Sequence, residues 1–149
     1  MAYNRYKNAS AEEKAIDRRD LYMIAESARQ RAYCPYSGIS VGAALLCSSG
    51  RVYLGCNVEN SAYSPGVCAE RVAVLKAVSE GERTFTAIAV AGGKADQDSE
   101  GAFPPCGVCR QVLSEFCSGE FEIILKDGED ICVYRLDELL PHSFGSKNM

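Results

Sequence analysis

Stretches with apolar residues at helical spacing alternate along the chain with short runs that are apolar throughout. "SAEEKAIDRRDLYMIAESARQRAY", residues 10–33, sets Ile16, Leu21, Tyr22, Ile24, Ala25 and Ala28 at roughly helical intervals and predicts a first helix. Ser10 and Glu13 fit a capping box at its start. "CPYSG" at 34–38 stops it, because proline and glycine punctuate the chain there. "ISVGAALLC" and "RVYLGCNV" read as strands joined by the turn "SSG", hence a hairpin. The polar "ENSAYSPG" leads into "CAERVAVLKAVSEG", a second helix starting near Cys68, with Val72, Ala73, Val74, Leu75, Ala77 and Val78 as its apolar surface. "TAIAVAGG" is a buried strand and "KADQDSEGAFP" a loop. "PCGVCRQVLSEFC" is a third helix with Pro105 in its first turn and Val108, Val112, Leu113 and Phe116 on its buried side. "FEIIL" and "ICVYRL" flank an Asp-Gly turn, which predicts an antiparallel pair. "LDELLPHSF" is a short helix or turn, and "GSKNM" a loose tail.

The order α-β-β-α-β-α-β-β predicts an α/β fold of three layers, α-β-α. Its core is a five-stranded mixed sheet with helices on both faces and an antiparallel last strand pair. No repeat or linker divides the chain, so residues 1–149 are expected to form one domain, with about 1–9 and 146–149 as loose ends.

Composition narrows the function classes. The hydrophobic fraction of 47% and the charged fraction of 24% are those of an ordinary globular domain. A net charge of −4 argues against a general nucleic-acid binder. The arginines of "DRRD" and "RQR" are expected on a solvated helix face. No apolar run reaches membrane-spanning length and no hydrophobic signal core opens the chain, so a cytoplasmic protein without membrane or nucleic-acid partners is expected. In that reducing compartment, eight cysteines point to metal binding or catalysis rather than a disulfide framework.

Cys106 and Cys109 stand three apart at a helix start, which puts both side chains on one face. A C-x-x-C of this kind is either a redox dithiol or half of a zinc site. Cys68 opens another helix, and the strand between the two helices could bring their N-termini together. Three thiolates would then converge, favoured by the positive helix ends. Three protein ligands leave one tetrahedral position open, as at a catalytic zinc, where bound water becomes acidic enough to supply hydroxide near neutral pH. Glu70, two residues from Cys68, can stand beside that water as a base without being a ligand. Three thiolates on Zn²⁺ leave a charge of −1, which Arg71 or, second, Arg110 would offset. The competing readings are a closed structural site, with a fourth ligand from His142 or from Cys34, Cys47, Cys56, Cys117 or Cys132, and the redox dithiol. The redox reading leaves Cys68 and Glu70 without a purpose.

"CAE" followed by "PCGVC" matches the zinc nucleobase deaminase signature in its three-cysteine form. "YCPYSGISVGAAL", "GCNVENSAYSPGVCAER", "PPCGVCRQVLSEF" and "ELLPHSF" together resemble cytidine deaminases of the small homotetrameric type, over roughly Arg18 to Phe144. The resemblance implies one zinc per chain on Cys68, Cys106 and Cys109, with Glu70 as the proton shuttle in converting cytidine or 2′-deoxycytidine to the uridine product and ammonia. It implies that Asn57 and Glu59 bind the ribose, that the main chain at Ala69 meets the base, and that Tyr63 and Phe144 complete the pocket across a subunit boundary. It further implies pyrimidine salvage as the setting and a homotetramer as the assembly. A carboxylate at the ribose accepts hydroxyl hydrogen bonds strongly and repels a phosphate, so a nucleoside should be preferred to a nucleotide. One position departs from the family pattern: Ile39 stands where an aromatic is common against the pyrimidine, and it offers an apolar wall without stacking.

Overall fold

The computed structural model describes residues 15–149. Its layers follow from the alternation of side chains along each strand, which point to opposite faces in turn. In β1 (Ile39–Cys47), Val41, Ala43 and Leu45 face one apolar layer and Ala44 faces the other. In β3 (Phe85–Lys94), Ile88 and Val90 take the first side while Ala87, Ala89 and Ala91 take the second. β4 (Glu122–Asp127) divides in the same way, Ile123 and Leu125 against Ile124. The first layer is closed by α2 (Ala69–Ser79), α3 (Gly107–Phe116) and the single turn α4 (Leu136–Leu139). The second is closed by α1 (Arg18–Ala28) through Leu21, Tyr22 and Ala25.

β2 (Val52–Cys56) and β5 (Asp130–Arg135) are the edges of a five-stranded sheet of order β2-β1-β3-β4-β5. β1 runs antiparallel to both β2 and β3, and β4 antiparallel to β5. β3 and β4 are parallel, with α3 in the crossover that a parallel pair requires. The α/β mixed sheet with helices on both faces and an antiparallel last pair is therefore the observed architecture. No helix among the described residues is long and apolar enough to cross a membrane.

Several details differ from the sequence expectation. α1 starts at Arg18 rather than Ser10: residues 15–17 are not helical, and Asp17 caps the helix by accepting a hydrogen bond from the Asp20 N–H at 2.8 Å. The Ser10–Glu13 capping box lies outside the described residues. The helix ends at Ala28 and tightens into one 3₁₀ turn, Arg29–Arg31. β2 ends at Cys56, because Asn57 and Val58 turn away to start the next loop. Pro105 precedes the cap of α3 instead of filling its first turn, since Cys106 is the N-cap. Val108 and Leu75 are exposed; the buried stripes run through Cys109 and Leu113 on α3, and through Ala73, Val74 and Ala77 on α2. Residues Ser146–Asn148 form a single exposed 3₁₀ turn.

Arg29 is a larger correction. It is only 6% exposed, not on a solvated face. Its guanidinium donates to the carbonyls of Ser40, Lys94 and Gln97 and pairs with Glu26. Glu26 also accepts from the Ser99 hydroxyl, which meets the Tyr22 hydroxyl at 2.9 Å. This network fixes the start of the loop that runs from β3 toward Cys106.

Candidate metal and active site

Cys68 and Cys106 occupy equivalent places, the N-caps of α2 and α3. An N-cap usually carries a side-chain oxygen that accepts a first-turn N–H. Neither thiol makes such a bond, so both are free for another task. Cys109 sits one turn into α3, fully buried, on the face that meets α2. Cys68 Sγ lies 3.9 Å from Cys106 Sγ, which lies 3.6 Å from Cys109 Sγ, and all three fall within 4.8 Å of one another. A tetrahedral ion with metal–sulfur bonds of about 2.3 Å spaces its sulfurs about 3.8 Å apart, so the donor set fits zinc. No other cysteine and no histidine joins the group among the described residues.

The electrostatics agree with a cation at this point. Hydrogen bonding from Cys109, and then from Arg71, pulls the Cys68 thiol down to about 5. Cys109 is pushed strongly the other way by its hydrogen bond with Cys68 and by burial. The opposite shifts mean that the neighbouring thiols do not all ionise without a cation beside them, and a metal must displace protons, as ligand thiols require. Arg71 Nη2 approaches Cys68 Sγ at 3.7 Å, while its buried Nε has no hydrogen-bond partner among the described residues. An orphaned guanidinium donor beside three sulfurs suits a site whose loaded form carries excess negative charge.

Glu70 is the second residue of α2 and is 4% exposed. Loss of solvent raises its pKa to about 7. The close packing of α2 on the sheet buries it near the thiols. Ala69, fully buried at the first helical position, has an N–H without a partner inside the helix.

The segment 57–67 folds back on itself through paired hydrogen bonds of 2.9 Å between Val58 and Val67. With the start of α2 it lines a cleft of about 310 Å³, to which Asn57, Glu59, Tyr63, Cys68 and Arg71 all contribute. Asn57 and Glu59 also hold structure. Asn57 Oδ1 accepts from the Val41 N–H at 2.7 Å, and its Nδ2 donates to the Ile39 carbonyl at 2.8 Å. Glu59 Oε1 accepts from the N–H groups of Tyr36 and Ser37, and hydrogen bonding with Ser37 and then Tyr36 holds its pKa below the usual value. Each residue keeps capacity for a ligand: a second Nδ2 hydrogen on Asn57 and the Oε2 oxygen of Glu59. Tyr63 has a left-handed backbone, φ 56°, and is 77% exposed.

Ile39 is half-buried against the α2–α3 layer and does not line the cleft. Phe144 is 62% exposed and lies elsewhere, its carbonyl accepting from Gln111 Nε2 at 3.0 Å. Arg110, the second candidate for charge compensation, is turned away from the sulfurs. It donates to the carbonyls of Pro105 and Leu139, both at 2.7 Å, tying the metal loop to the end of α4. Sequence reasoning missed Phe103, whose ring rests on Gly92 three residues before Cys106. A β-carbon on Gly92 would stand 2.5 Å from that ring. The larger cleft, about 670 Å³ on the α1 side, brings together no such chemistry, and its Arg18 and Glu122 pair with each other.

Residues 15–124 match the family model described as the cytidine and deoxycytidylate deaminase zinc-binding region. A cytidine deaminase of Sporosarcina psychrophila is 49% identical over 130 residues, 85% of this chain and 92% of that one. A cytidine deaminase of Halalkalibacterium halodurans is 44% identical over 135 residues, 90% and 98% of the two chains. Among solved structures, a cytidine deaminase from Burkholderia pseudomallei superimposes with a TM-score of 0.77 at 42% identity, covering 85% of this chain and 98% of its own.

Proposed function

The chain belongs to the cytidine and deoxycytidylate deaminase family, a family of hydrolases, and on that premise we propose that it deaminates cytidine and 2′-deoxycytidine to uridine and 2′-deoxyuridine. The observation that carries this reading is the meeting of three sulfurs from two helix N-termini within 4.8 Å, with the buried Glu70 two residues from one of them. Cys68, Cys106 and Cys109 hold one zinc per chain, and Arg71 offsets the charge of the thiolates. Zinc, when bound, supplies a Lewis acid that activates water at the fourth position of an open site.

The chain's own residues do the rest. Glu70 takes a proton from the attacking water and passes it to N3 of the ring, then carries the remaining proton of the hydroxyl added at C4 to the departing amino group. Cytidine and water thereby give uridine and ammonia. Asn57 and Glu59 hold the ribose hydroxyls, with Glu59 disfavouring a phosphate at the same place. The Ala69 main chain meets the base; Ile39, outside the cleft itself, supplies an apolar wall where the base reaches past it toward the α2–α3 layer. Tyr63 and Phe144 close the pocket, and the exposure of both supports their acting across a contact with another copy. We read residues 1–149 as one domain, working as a cytoplasmic homotetramer in pyrimidine salvage.

The test is uridine formation from cytidine by purified protein, with CMP in parallel and zinc measured on the same sample. Turnover of cytidine but not CMP, with about one zinc per chain, is expected. Glu70→Gln should lower kcat by about 10²–10⁴-fold, the usual weight of a general acid–base, while keeping fold and zinc. Zinc without turnover would make the centre a scaffold. Equal turnover of CMP would remove the proposed role of Glu59.

A further inference from the structure

Gly55 lies in β2 directly beneath the opening turn of α2. A β-carbon built there would stand 2.0 Å from the Ala69 carbonyl oxygen, 2.7 Å from the Ala73 nitrogen and 3.0 Å from the Ala69 carbonyl carbon. All three are backbone atoms. Ala69 O and Ala73 N are also the acceptor and donor that an α-helix joins in its first turn. No change of rotamer relieves such a contact, so a side chain at 55 must lift or unwind the helix start. The same helix is fastened to the same strand one residue earlier, where Lys76 Nζ donates to the Leu54 carbonyl at 2.7 Å.

The geometry points to Gly55 as a positioning residue for the metal centre, resting on the zinc reading above. The turn seated on it carries Cys68, Ala69 and Glu70. The other two sulfurs come from α3, which packs on α2 and is also held to β3 by Phe116 against Phe85. Because that second hold does not pass through β2, the height of α2 over β2 bears on the distance from Cys68 to Cys106 and Cys109. Lifting the turn spreads the three sulfurs and moves Glu70 with them.

Gly42 provides a matched control. It lies in β1, and its β-carbon would stand 2.0 Å from the Ala25 oxygen and 2.7 Å from the Arg29 nitrogen of the helical segment on the opposite face. That segment carries no sulfur ligand; its Arg29 bears on the site only through the far end of the loop, at Lys94 and Gln97, and Phe103 on Gly92 seats that loop again before Cys106. The two glycines thus make the same close approach, one under the proposed site and one away from it.

The experiment compares Gly55→Ala with Gly42→Ala in zinc-loaded full-length protein. Zinc transfer to a chromogenic chelator is followed, with the thermal midpoint and cytidine kinetics measured on the same samples. Both variants should lose thermal stability. Only Gly55→Ala should surrender zinc faster, by about 10–100-fold, the range over which residues supporting metal ligands act. Only that variant should lose kcat per bound zinc. Unaltered zinc transfer in a folded Gly55→Ala would overturn the assignment. So would an equal acceleration of zinc transfer in the two variants. Where Gly55→Ala does not fold in buffer, the comparison is made in trimethylamine N-oxide, which favours the compact state. A chain still unfolded there, while Gly42→Ala folds, also overturns the assignment, because the glycine would then serve the fold and not the site. Because zinc transfer needs no substrate, its outcome stands apart from the failure of wild-type protein to deaminate cytidine.

Discussion

Cys68 and Cys106 stand where a serine or aspartate would ordinarily cap a helix, and neither caps. Each gives up a local hydrogen bond and gains an unobstructed sulfur aimed at the same point. Glu70, in the same opening turn as Cys68, has its carboxyl removed from water by packing, which raises its pKa to about 7. At this scale Ile39 makes a prediction. It is half-buried against the layer that carries the site. An aromatic there would add about 1 kcal/mol beyond its area, a factor of roughly five in binding. Ile39→Phe should therefore lower KM for cytidine by up to about that factor, with kcat little changed. Steady-state kinetics at fixed zinc content checks this, and an unchanged or higher KM would count against a base-facing wall at position 39.

Each element that carries a candidate ligand is set by a contact that sequence pattern does not advertise. The loop from β3 to Cys106 is held at one end by Arg29 and near the other by Phe103 on Gly92. Arg29 satisfies three backbone carbonyls and a carboxylate from within the protein. Replacing it leaves those acceptors without their charged donor, at a cost of roughly 2–3 kcal/mol. Arg29→Met should lower the unfolding free energy by that amount, seen as a lower urea midpoint at an unchanged m-value. Cysteine ligation should weaken less than in a direct ligand variant, because Phe103 still seats the loop. A midpoint equal to the parent's would show that the buried guanidinium adds nothing net, as some buried ion pairs do not. The helical periodicity of α1 suggested its buried stripe correctly through Leu21, Tyr22, Ala25 and Ala28. The arginine just beyond the helix was misassigned because burial of a charge depends on carbonyls from β1 and from the loop after β3, far away in sequence.

Across the whole molecule, one face of the sheet holds the candidate site and the other is closed by α1. Tyr63, Leu75, Val108 and Phe144 are all exposed. Phe144 lines no part of its own chain's cleft, so a role in the pocket requires a second copy. Light scattering should give four times the chain mass of 16.1 kDa. Phe144→Ala should keep that mass and raise KM for cytidine. A fully active monomer would dismiss both the assembly and the shared pocket.

What the sequence by itself determined is the set of local signals. Strand alternation, helix periodicity and the Asp-Gly turn established the elements, their order and the antiparallel last pair. The spacing of Cys68, Glu70, Cys106 and Cys109 nominated the chemistry, because each half of that constellation is confined to one helix start. Tertiary structure alone decided what depends on contacts distant in the chain. It brought the two helix starts to one point, buried Glu70 and Arg29, turned Arg110 toward carbonyls and not sulfurs, and gave Asn57 and Glu59 their hydrogen bonds to the 36–41 backbone. The reason is physical: spacing fixes which side chains share a face, but burial and distance between faces are set by how closely backbones approach. That approach rests on small residues such as Gly55, whose backbone partners Ala69 and Ala73 lie well beyond it along the chain, and Gly92, which leaves room for the Phe103 ring.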